Sequence, residues 1–314
     1  MIVSDEGNAG MTGHARVAAV IVTYNSADVL GDCLRSLSEQ GAPLAAVVVA
    51  DNASRDKTRV IAEDFADLPV QVAELGRNAG YAAAINAGLA ALDLNTLDAV
   101  LVLNPDCRVR PGALAVLASV LRQSGCGIVV PRLVNPDGSL QPSLRRRPTV
   151  RRALVEALLP GGLAGQLGSL GELVTDPEVY ERSGVTAWAT GAALLLSVSA
   201  LREVGPWDES FLLYSEETEY SLRAADKGWR TWYEPAAVFE HIGGDSGVNP
   251  TLASLMTVNK VALFRRRHNR LHSAAFFTAV AVGECIRAAT GRRTSRASIV
   301  ALLQPSRRVR ELAT

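Results

Sequence analysis

The chain has 314 residues, 48% of them hydrophobic, and its 32 basic residues are balanced by 32 acidic ones. Such a chain can bury a large core, enough for one large α/β domain with an appendage or for two domains. Its four cysteines show no paired spacing, which argues against a structural zinc site or a disulfide framework and favours reduced thiols.

The charge is unevenly distributed along the chain. Residues 260–314 carry twelve Lys/Arg and two Asp/Glu, so a basic segment follows an acidic body. We expect the basic segment to bind an anionic partner. Residues 1–15 are polar and small, which predicts a flexible N-terminus without a secretory signal. The apolar run Ala274–Val282 is far shorter than the roughly 20 residues that span a bilayer. These features predict a cytoplasmic protein.

Strand and helix patterns alternate through the first third of the chain. Short apolar runs predict strands at 17–22, 46–50, 70–75, 99–103, 127–130, 192–197, 230–233 and 237–240. Helical spacing and capping residues predict helices at 27–40, 81–91, 111–122, 199–204, 216–227, 252–267 and 273–289. A further helix is expected to be capped by Ser54 or Asp56 and to run through Phe65. This alternation predicts right-handed βαβ units, a mainly parallel central sheet flanked by helices, and a helical C-terminal appendage.

The stretch 99–106 carries the first chemical signal. Five apolar residues predict a strand buried on both faces, and Pro105 ends it because proline has no N–H to give to the sheet. Asp106 is therefore expected at the carboxyl end of a central strand, the edge at which open α/β sheets bind ligands. A carboxylate there suits a divalent cation and a diphosphate. Taken alone, Asn-Pro-Asp is also an ordinary turn.

Polar residues follow each of the first four predicted strands, so we expect them to line one crevice that accommodates a nucleotide. These residues are Tyr24, Asn25, Asp51, Asn52, Asn78 and Asp106. The chain has neither the GxGxxG pattern of dinucleotide-binding folds nor a P-loop. Without those loops a diphosphate needs a metal to neutralise it, and this is the role we expect for Asp106.

Several motifs in order then resemble one known family. In the first half these are Val20-Ile-Val-Thr-Tyr-Asn25, Asp51-Asn-Ala-Ser54, Arg77-Asn-Ala-Gly-Tyr81, Asn86-Ala-Gly88 and Leu103-Asn-Pro-Asp106; in the second they are Thr190-Gly-Ala-Ala193, Gly205-Pro-Trp-Asp208-Glu, Phe211–Glu217, Leu222-Arg, Gly228-Trp-Arg and the strand into His241. They resemble glycosyltransferase family 2, of the GT-A fold, in its rhamnosyltransferase-like branch. The resemblance covers about residues 16–245 and leaves 246–314 as a basic helical segment.

The resemblance implies roles for individual residues. Asp51 is similar to the residue that reads the nucleotide base, and Asn104-Pro-Asp106 occupies the place of the family's DxD motif. It therefore implies a Mg²⁺ or Mn²⁺ site at Asp106, with His241 as a further ligand. The predicted donor-binding residues are Thr23, Tyr24, Asn25, Asp51, Asn52, Asn78, Tyr81 and Asn104.

The expected catalytic base is one of two adjacent carboxylates. Glu216-Glu217 stands where the family usually has Glu-Asp, and Glu217 matches the base position, while Glu216 stays an alternative. In an inverting transfer one base takes the proton from the acceptor hydroxyl as it attacks the anomeric carbon. The predicted acceptor-binding residues are Trp188, Thr190 and Gly191.

Each of these residues also has a plainer interpretation. Acidic residues are favoured at helix N-termini such as the one predicted at Glu216, and His241 is also consistent with an ordinary loop histidine. Trp188 is equally consistent with the core, and Asn78 and Tyr81 with loop shaping. The arginine clusters at 145–147, 151–152 and 265–267 fit either a solvated surface or a lipid diphosphate. The apolar positions of 252–263 fit packing or a membrane interface.

These observations predict an inverting, metal-dependent glycosyltransferase. The resemblance implies a dTDP-L-rhamnose donor, a glycan or polyprenyl-diphosphate-linked acceptor and a role in cell-wall or surface polysaccharide synthesis at the inner membrane face. Nucleic acid is not an expected partner, and the oligomeric state, a homodimer included, stays open. The alternatives are a family 2 enzyme that uses a UDP-sugar, a nucleotidyltransferase, and a non-catalytic binding protein. The first strand is followed by Tyr24-Asn-Ser26 rather than a glycine- and basic-rich loop, which argues against the nucleotidyltransferase.

Overall fold

The computed structural model describes residues 15–41, 44–159, 165, 170–243 and 249–309. Its strands are β1 (Val17–Thr23), β2 (Ala46–Asp51), β3 (Val70–Glu74), β4 (Ala99–Leu103), β5 (Cys107–Val109), β6 (Ile128–Val134), β7 (Leu144–Arg145), β8 (Gly184–Thr186), β9 (Trp188–Ala189), β10 (Ala193–Ser197) and β11 (Thr231–His241). Its helices are α1 (Ala27–Ser38), α2 (Thr58–Glu63), α3 (Tyr81–Ala90), α4 (Ala113–Ser124), α5 (Val150–Leu158), α6 (Pro177–Tyr180), α7 (Val198–Val204), α8 (Glu216–Asp226), α9 (Pro250–Arg267), α10 (Arg270–Ala289) and α11 (Arg293–Leu303).

One large sheet organises the fold, in the order β3-β2-β1-β4-β10-β6-β11-β5, with β8 paired to β11. The first four strands in this order are parallel, as the βαβ alternation predicts. Strand β10 runs antiparallel to both β4 and β6, and β11 is parallel to β6. The sheet therefore has a parallel half and a mixed second half, and β7 and β9 form a separate two-stranded pair.

The central strands are buried on both faces. In β1, Ala19 and Ile21 pack into one apolar cluster with α1 and α4, whereas Ala18 and Val20 pack into another with α3 and α8. Successive side chains of a strand point to opposite faces, so a continuous apolar run is what a sheet covered by helices on both sides requires. The carboxyl ends of the strands are the polar edge at which ligands would be bound.

The C-terminal helices form a third apolar cluster, in which Phe264 of α9, Phe276 of α10 and Leu302 of α11 meet α5. Ion pairs join them to the body: Arg266 to Asp208 at 2.6 Å and Lys260 to Glu172 at 2.8 Å. The acidic body thus neutralises part of the basic segment. Within the described residues, no helix combines the length and the apolar character that a membrane crossing requires.

Several sequence predictions need correction. The two strands expected at 230–233 and 237–240 form the single strand β11, which changes register between Glu234 and Val238 around Pro235. Strand β5 begins directly after Asp106, where the sequence showed only a turn, because it pairs with the far end of β11. Helix α11 was not predicted. Residues 1–14 of the expected flexible N-terminus lie outside the described residues.

Candidate active site

Asp51 lies at the end of β2 and is completely buried. Its carboxylate accepts hydrogen bonds from Thr23 Oγ1 at 2.8 Å, from Ser54 Oγ at 2.5 Å and from the Ser54 N–H at 2.8 Å. These bonds hold the turn through Ala53, whose φ of 59° is unusual for a residue with a side chain. The structure brings the predicted donor-binding residues Thr23 and Asp51 into contact, and Asp51 organises the turn that follows β2.

The predicted donor residues Tyr24 and Asn25 follow β1 and lie against the same turn. The Asn25 N–H donates to Ser54 Oγ, and Asn25 Oδ1 accepts from the Arg55 N–H, both at 2.8 Å. The backbone of Asn25 has a φ of 48°, one of four such non-glycine values in the described chain. Tyr24 is partly exposed and Asn25 is exposed, so both are available to a ligand at this edge.

A second loop, at residues 78–81, lies beside the first. Asn52 Oδ1 accepts from the Ala79 N–H at 3.0 Å, and the Tyr81 N–H donates to Leu212 O at 3.0 Å. Gly80 has a φ of 96°, and a Cβ there would lie only 2.2 Å from Leu212 O, so only glycine fits. Asn78 is buried. This loop therefore joins the end of β2, through Asn52, to the segment that precedes α8.

Asp106 and His241 form a candidate metal pair. They come from the ends of β4 and β11, and Asp106 Oδ1 lies 3.4 Å from His241 Nε2. The Asn104 amide lies 3.5 Å from the same imidazole nitrogen. The Cys107 thiol lies within the same cluster, but burial raises its pKa well above the ordinary value, so it stays protonated and donates to Ala192 O.

Gln141 orients the imidazole of His241. Gln141 Oε1 lies 2.6 Å from His241 Nδ1, so the proton is assigned to Nδ1 and the lone pair of Nε2 is directed at Asp106. The Gln141 amide also donates to Asn135 Oδ1 at 3.0 Å. A carboxylate oxygen and an imidazole lone pair that face each other fit a divalent cation, and such an outer hydrogen bond is typical of metal-binding histidines. The residues present thus fit Mg²⁺ or Mn²⁺.

The two carboxylates at the start of α8 have different surroundings. Glu216 is 2% exposed and its Oε2 has no described hydrogen-bond partner, whereas Glu217 is partly exposed. Burial and the charge of Glu217 raise the pKa of Glu216 well above its ordinary value. Burial also raises the pKa of Glu217, but the positive charge of Arg145 opposes that rise. Glu217 is therefore the better placed of the two to ionise and accept a proton.

The segment 190–192 connects the metal pair to the two glutamates. The Tyr81 hydroxyl donates to Gly191 O at 2.7 Å, and Ala192 O accepts from the Asn104 N–H at 2.9 Å. A Cβ built on Gly191 would lie 3.5 Å from Glu217 Cβ. Burial and the nearby charges, that of Glu216 first among them, raise the pKa of Tyr81, so its phenol remains a donor. One short segment thus touches the DxD-like motif and the candidate base.

The predicted acceptor residue Trp188 is 8% exposed, which agrees with the plainer interpretation of a buried tryptophan. Its indole N–H donates to Arg146 O at 3.2 Å, and the Arg145 guanidinium lies over its ring, 5.8 Å from the centroid. Thr190 is partly exposed and its N–H donates to Ser143 O. Trp188 therefore supports Arg145, and Thr190 and Gly191 are the acceptor candidates nearest Glu217.

Sequence reasoning missed three residues of the site. These are Gln141 behind His241, Arg145 near Glu217, and Asn259 of α9, whose amide donates to Leu213 O and Tyr214 O. All three act across long sequence separations and have no local motif. The run of three arginines at 145–147 was the one signal available, and it did not distinguish a site from a solvated surface.

Comparison with known proteins identifies the family. A family model, Glycosyl transferase family 2, matches residues 18–169. A curated relative from Mycobacterium tuberculosis, N-acetylglucosaminyl-diphospho-decaprenol L-rhamnosyltransferase, is 30% identical over 248 residues, which cover 74% of this chain and 78% of the relative. The chain belongs to glycosyltransferase family 2. It is therefore a glycosyltransferase, as the motifs predicted.

Solved structures confirm the fold of this glycosyltransferase. The mannosyltransferase PcManGT from Pyrobaculum calidifontis, in complex with GDP-Man and Mn²⁺, has a TM-score of 0.56 at 20% identity, over 94% of this chain and 83% of that one. S. aureus TarS 1-349, in complex with UDP, has a TM-score of 0.53 at 14% identity, over 91% and 88% of the two chains. At these identities the likeness shows the GT-A fold alone.

Proposed function

We propose that this family 2 enzyme transfers a sugar, with inversion, from a nucleoside diphosphate to a hydroxyl of a polyprenyl-diphosphate-linked acceptor. The proposal rests mainly on the segment 190–192. Ala192 of this segment accepts a hydrogen bond from Asn104, which precedes Asp106 of the candidate metal pair, and Gly191 lies against the candidate base Glu217. The name of the 30% identical relative supports L-rhamnose as the sugar and a diphosphate-linked N-acetylglucosaminyl lipid as the acceptor. The proposed donor is therefore dTDP-L-rhamnose, and the proposed pathway is cell-wall or surface polysaccharide synthesis.

In the proposed reaction Glu217 takes the proton of the acceptor hydroxyl as its oxygen attacks the anomeric carbon. The bond from that carbon to the diphosphate oxygen breaks, so the configuration inverts in a single displacement. One carboxylate suffices, whereas a retaining glycosidase uses two that flank the sugar. Glu216 is buried, and its raised pKa favours the neutral form beside the charge of Glu217.

Asp106 and His241 are the residues that would hold the divalent metal. When bound, Mg²⁺ or Mn²⁺ would stabilise the negative charge of the departing nucleoside diphosphate. Asn104 stands where a second carboxylate is usual, so the pair offers one oxygen and one nitrogen ligand. An imidazole ligand favours Mn²⁺ over Mg²⁺, which prefers oxygen ligands and retains several waters.

The donor nucleotide is proposed to lie along the ends of β1, β2 and β3. Tyr24 and Asn25 border this edge, and Asp51 holds the turn through Ala53 that shapes it. Asp51 is completely buried, so a base N–H would reach it only after the Ser54 turn shifts. Asn52 holds the adjacent loop, which contains the buried Asn78 and ends at Tyr81 beside the proposed reacting centre.

We also propose that the enzyme rests on an anionic membrane surface through α10. The first turn of this helix exposes Arg270, Leu271 and His272. Beyond that turn its exposed face carries no charge; it consists of Ala274, Ala275, Thr278, Val282, Cys285, Ile286 and Ala289. Exposed arginines stand at both of its ends, at 265–266 and 270 and at 292–293 and 296. An uncharged helical face bordered by arginines fits the interface of an anionic bilayer. Helix α9 is a less suitable membrane contact, because its apolar residues Leu255 and Leu263 are buried against the rest of the protein.

A transfer assay tests the main proposal. Purified enzyme is incubated with Mn²⁺, a diphosphate-linked N-acetylglucosaminyl acceptor and, in separate reactions, dTDP-L-rhamnose, UDP-sugars or GDP-mannose. We expect product only from dTDP-L-rhamnose and only with metal, and no product from the variant Glu217→Gln. Product from a UDP-sugar would support the proposed transfer but contradict dTDP-L-rhamnose as the donor. No turnover of any donor would overturn the proposal.

A further inference from the structure

A cavity of about 930 Å³ opens beside the strand pair β7–β9, and arginine dominates its wall. Six guanidinium side chains line it, those of Arg145, Arg146, Arg147, Arg152, Arg182 and Arg230, against two carboxylates. None of the predicted donor-binding or metal-binding residues is among its lining. It is thus a separate feature from the nucleotide edge.

Three arginines of this cavity have no carboxylate partner among the described residues. The side chains of Arg147, Arg182 and Arg230 are exposed, and the described residues supply no ion pair to any of them. Of the two acids in the wall, Asp176 already accepts the N–H of Glu178 as the cap of α6. Six guanidinium groups against two carboxylates leave the wall with an excess of positive charge, so it favours a ligand that carries at least two negative charges.

Arg145 extends this positive surface to the catalytic base. It is partly buried, its NH1 donates to the carbonyls of Pro142 and Leu144, and no described carboxylate lies within ion-pair distance of it. Burial lowers the pKa of Arg145, while the charges of Tyr180, Glu172 and Glu217 oppose that change. A partly desolvated guanidinium without a carboxylate costs free energy that an anionic ligand would offset.

The strand pair β7–β9 provides a direct path from the cavity to Glu217. Arg145 and Trp188 are register partners, and the Thr190 N–H donates to Ser143 O. Three residues along from Trp188, Gly191 packs against Glu217. Three residues of strand span about 10 Å, which suits an acceptor whose sugar lies at Glu217 and whose diphosphate lies among the arginines.

We propose that this arginine-lined cavity binds the diphosphate of the acceptor substrate. The inference rests on the proposed function, since it assigns a place to the charged part of that acceptor. Arginine suits the role because its planar guanidinium binds phosphate oxygens in pairs. The donor diphosphate is held at the Asp106–His241 edge, so the enzyme keeps two diphosphates at two different sites.

The first experiment compares two acceptors with the double variant Arg147→Gln/Arg182→Gln. One acceptor is a short-chain N-acetylglucosaminyl diphospholipid, and the other is octyl N-acetylglucosaminide, which lacks the diphosphate. We expect the ratio of their kcat/KM values to fall about tenfold or more, through KM of the diphosphate acceptor. The control variant Arg59→Gln, whose arginine pairs with Glu74 on another surface, should leave the ratio unchanged. An unchanged ratio in the double variant would overturn the inference.

The second experiment does not depend on transfer activity. Inorganic pyrophosphate is titrated without metal into the wild-type enzyme and the two variants, and binding is followed by calorimetry. We expect binding by wild type and Arg59→Gln that is weakened about tenfold or more in Arg147→Gln/Arg182→Gln. Equal binding by all three would refute the cavity as a diphosphate site. If no donor is turned over but the double variant still loses pyrophosphate binding, the proposed function fails while the site stands.

Discussion

The side-chain amide of Asn259 donates hydrogen bonds to the carbonyls of Leu213 at 3.0 Å and Tyr214 at 3.2 Å. Tyr214 and the following Ser215 have φ values of 68° and 79°, and α8 with its two glutamates begins at the next residue. Consecutive positive φ values at residues with side chains are strained and persist only where the surroundings hold them. Helix α9 of the C-terminal segment therefore holds the turn that places Glu217.

The variant Asn259→Ala should lose catalysis through misplacement of Glu217. We expect kcat to fall about 10- to 100-fold, since small displacements of a reacting group are costly, and unfolding free energy to fall by about 1–2 kcal/mol. Steady-state kinetics and thermal unfolding measure the two effects. Asn269→Ala, which removes the cap of α10, is the matched control and should lower stability alone. Equal losses of kcat in both variants would show that Asn259 does not position Glu217.

The contact between Asn259 and Tyr214 also marks what the sequence could and could not predict. Strands with uninterrupted apolar runs, such as β1 and β4, were predicted closely because their burial requires that composition. The Asp106–His241 pair followed from a family resemblance, since its members lie 135 positions apart in the sequence. Contacts such as those of Gln141 and Asn259 join distant elements without any repeating pattern, so only the three-dimensional structure reveals them.

Replacing either glutamate should separate their roles. Glu217→Gln removes the proposed base, and we expect kcat to fall about 10²- to 10⁴-fold with donor binding retained. Transfer rates and the thermal shift with dTDP-L-rhamnose measure the two properties. Full activity in Glu217→Gln together with loss in Glu216→Gln would move the base to Glu216.

Glu216→Gln should stabilise the protein at neutral pH. Its folded-state pKa is raised, so the carboxyl favours folding at a pH below its ordinary pKa, and this contribution is lost as the pH rises through the raised value. Glutamine does not titrate, so its contribution to the free energy of unfolding does not change with pH in this way. We expect a melting temperature a few degrees above that of wild type at pH 7.5, with the difference disappearing near pH 4. Scanning calorimetry at both pH values checks this, and a pH-independent difference would contradict it.

The pH dependence of kcat should report the environment of Glu217. Because burial raises the pKa of Glu217, activity should fall with decreasing pH at values above the ordinary 4.5. Arg145 lowers that pKa, so in Arg145→Gln the acid limb should move to higher pH, whereas Arg145→Lys should keep it close to wild type. The profile is measured at saturating acceptor. An acid limb that does not move would show that Arg145 does not act on the base.

Metal affinity should depend on Gln141, which has no contact with the proposed ion. Gln141→Leu removes the acceptor at 2.6 Å from His241 Nδ1, so the imidazole is free to rotate and to change tautomer. We expect Mn²⁺ affinity to fall about 10- to 100-fold, measured by electron paramagnetic resonance of the free ion. Gln123→Leu on the exposed surface of α4 is the control and should bind Mn²⁺ as wild type does. Unaltered affinity in Gln141→Leu would exclude His241 as a ligand held by Gln141.

Membrane association should depend on the uncharged face of α10. Val282 and Ile286 are 43% and 45% exposed and lie one turn apart, so Val282→Glu/Ile286→Glu places two charges in the middle of that face without disturbing the core. We expect the double variant to lose most of its co-sedimentation with anionic vesicles, because glutamate is repelled by the surface and is costly to bury in it. Val60→Glu changes a valine of α2 that is 52% exposed, so it serves as the control and should bind as wild type does. If both variants sediment equally with the vesicles, the membrane contact lies elsewhere on the protein.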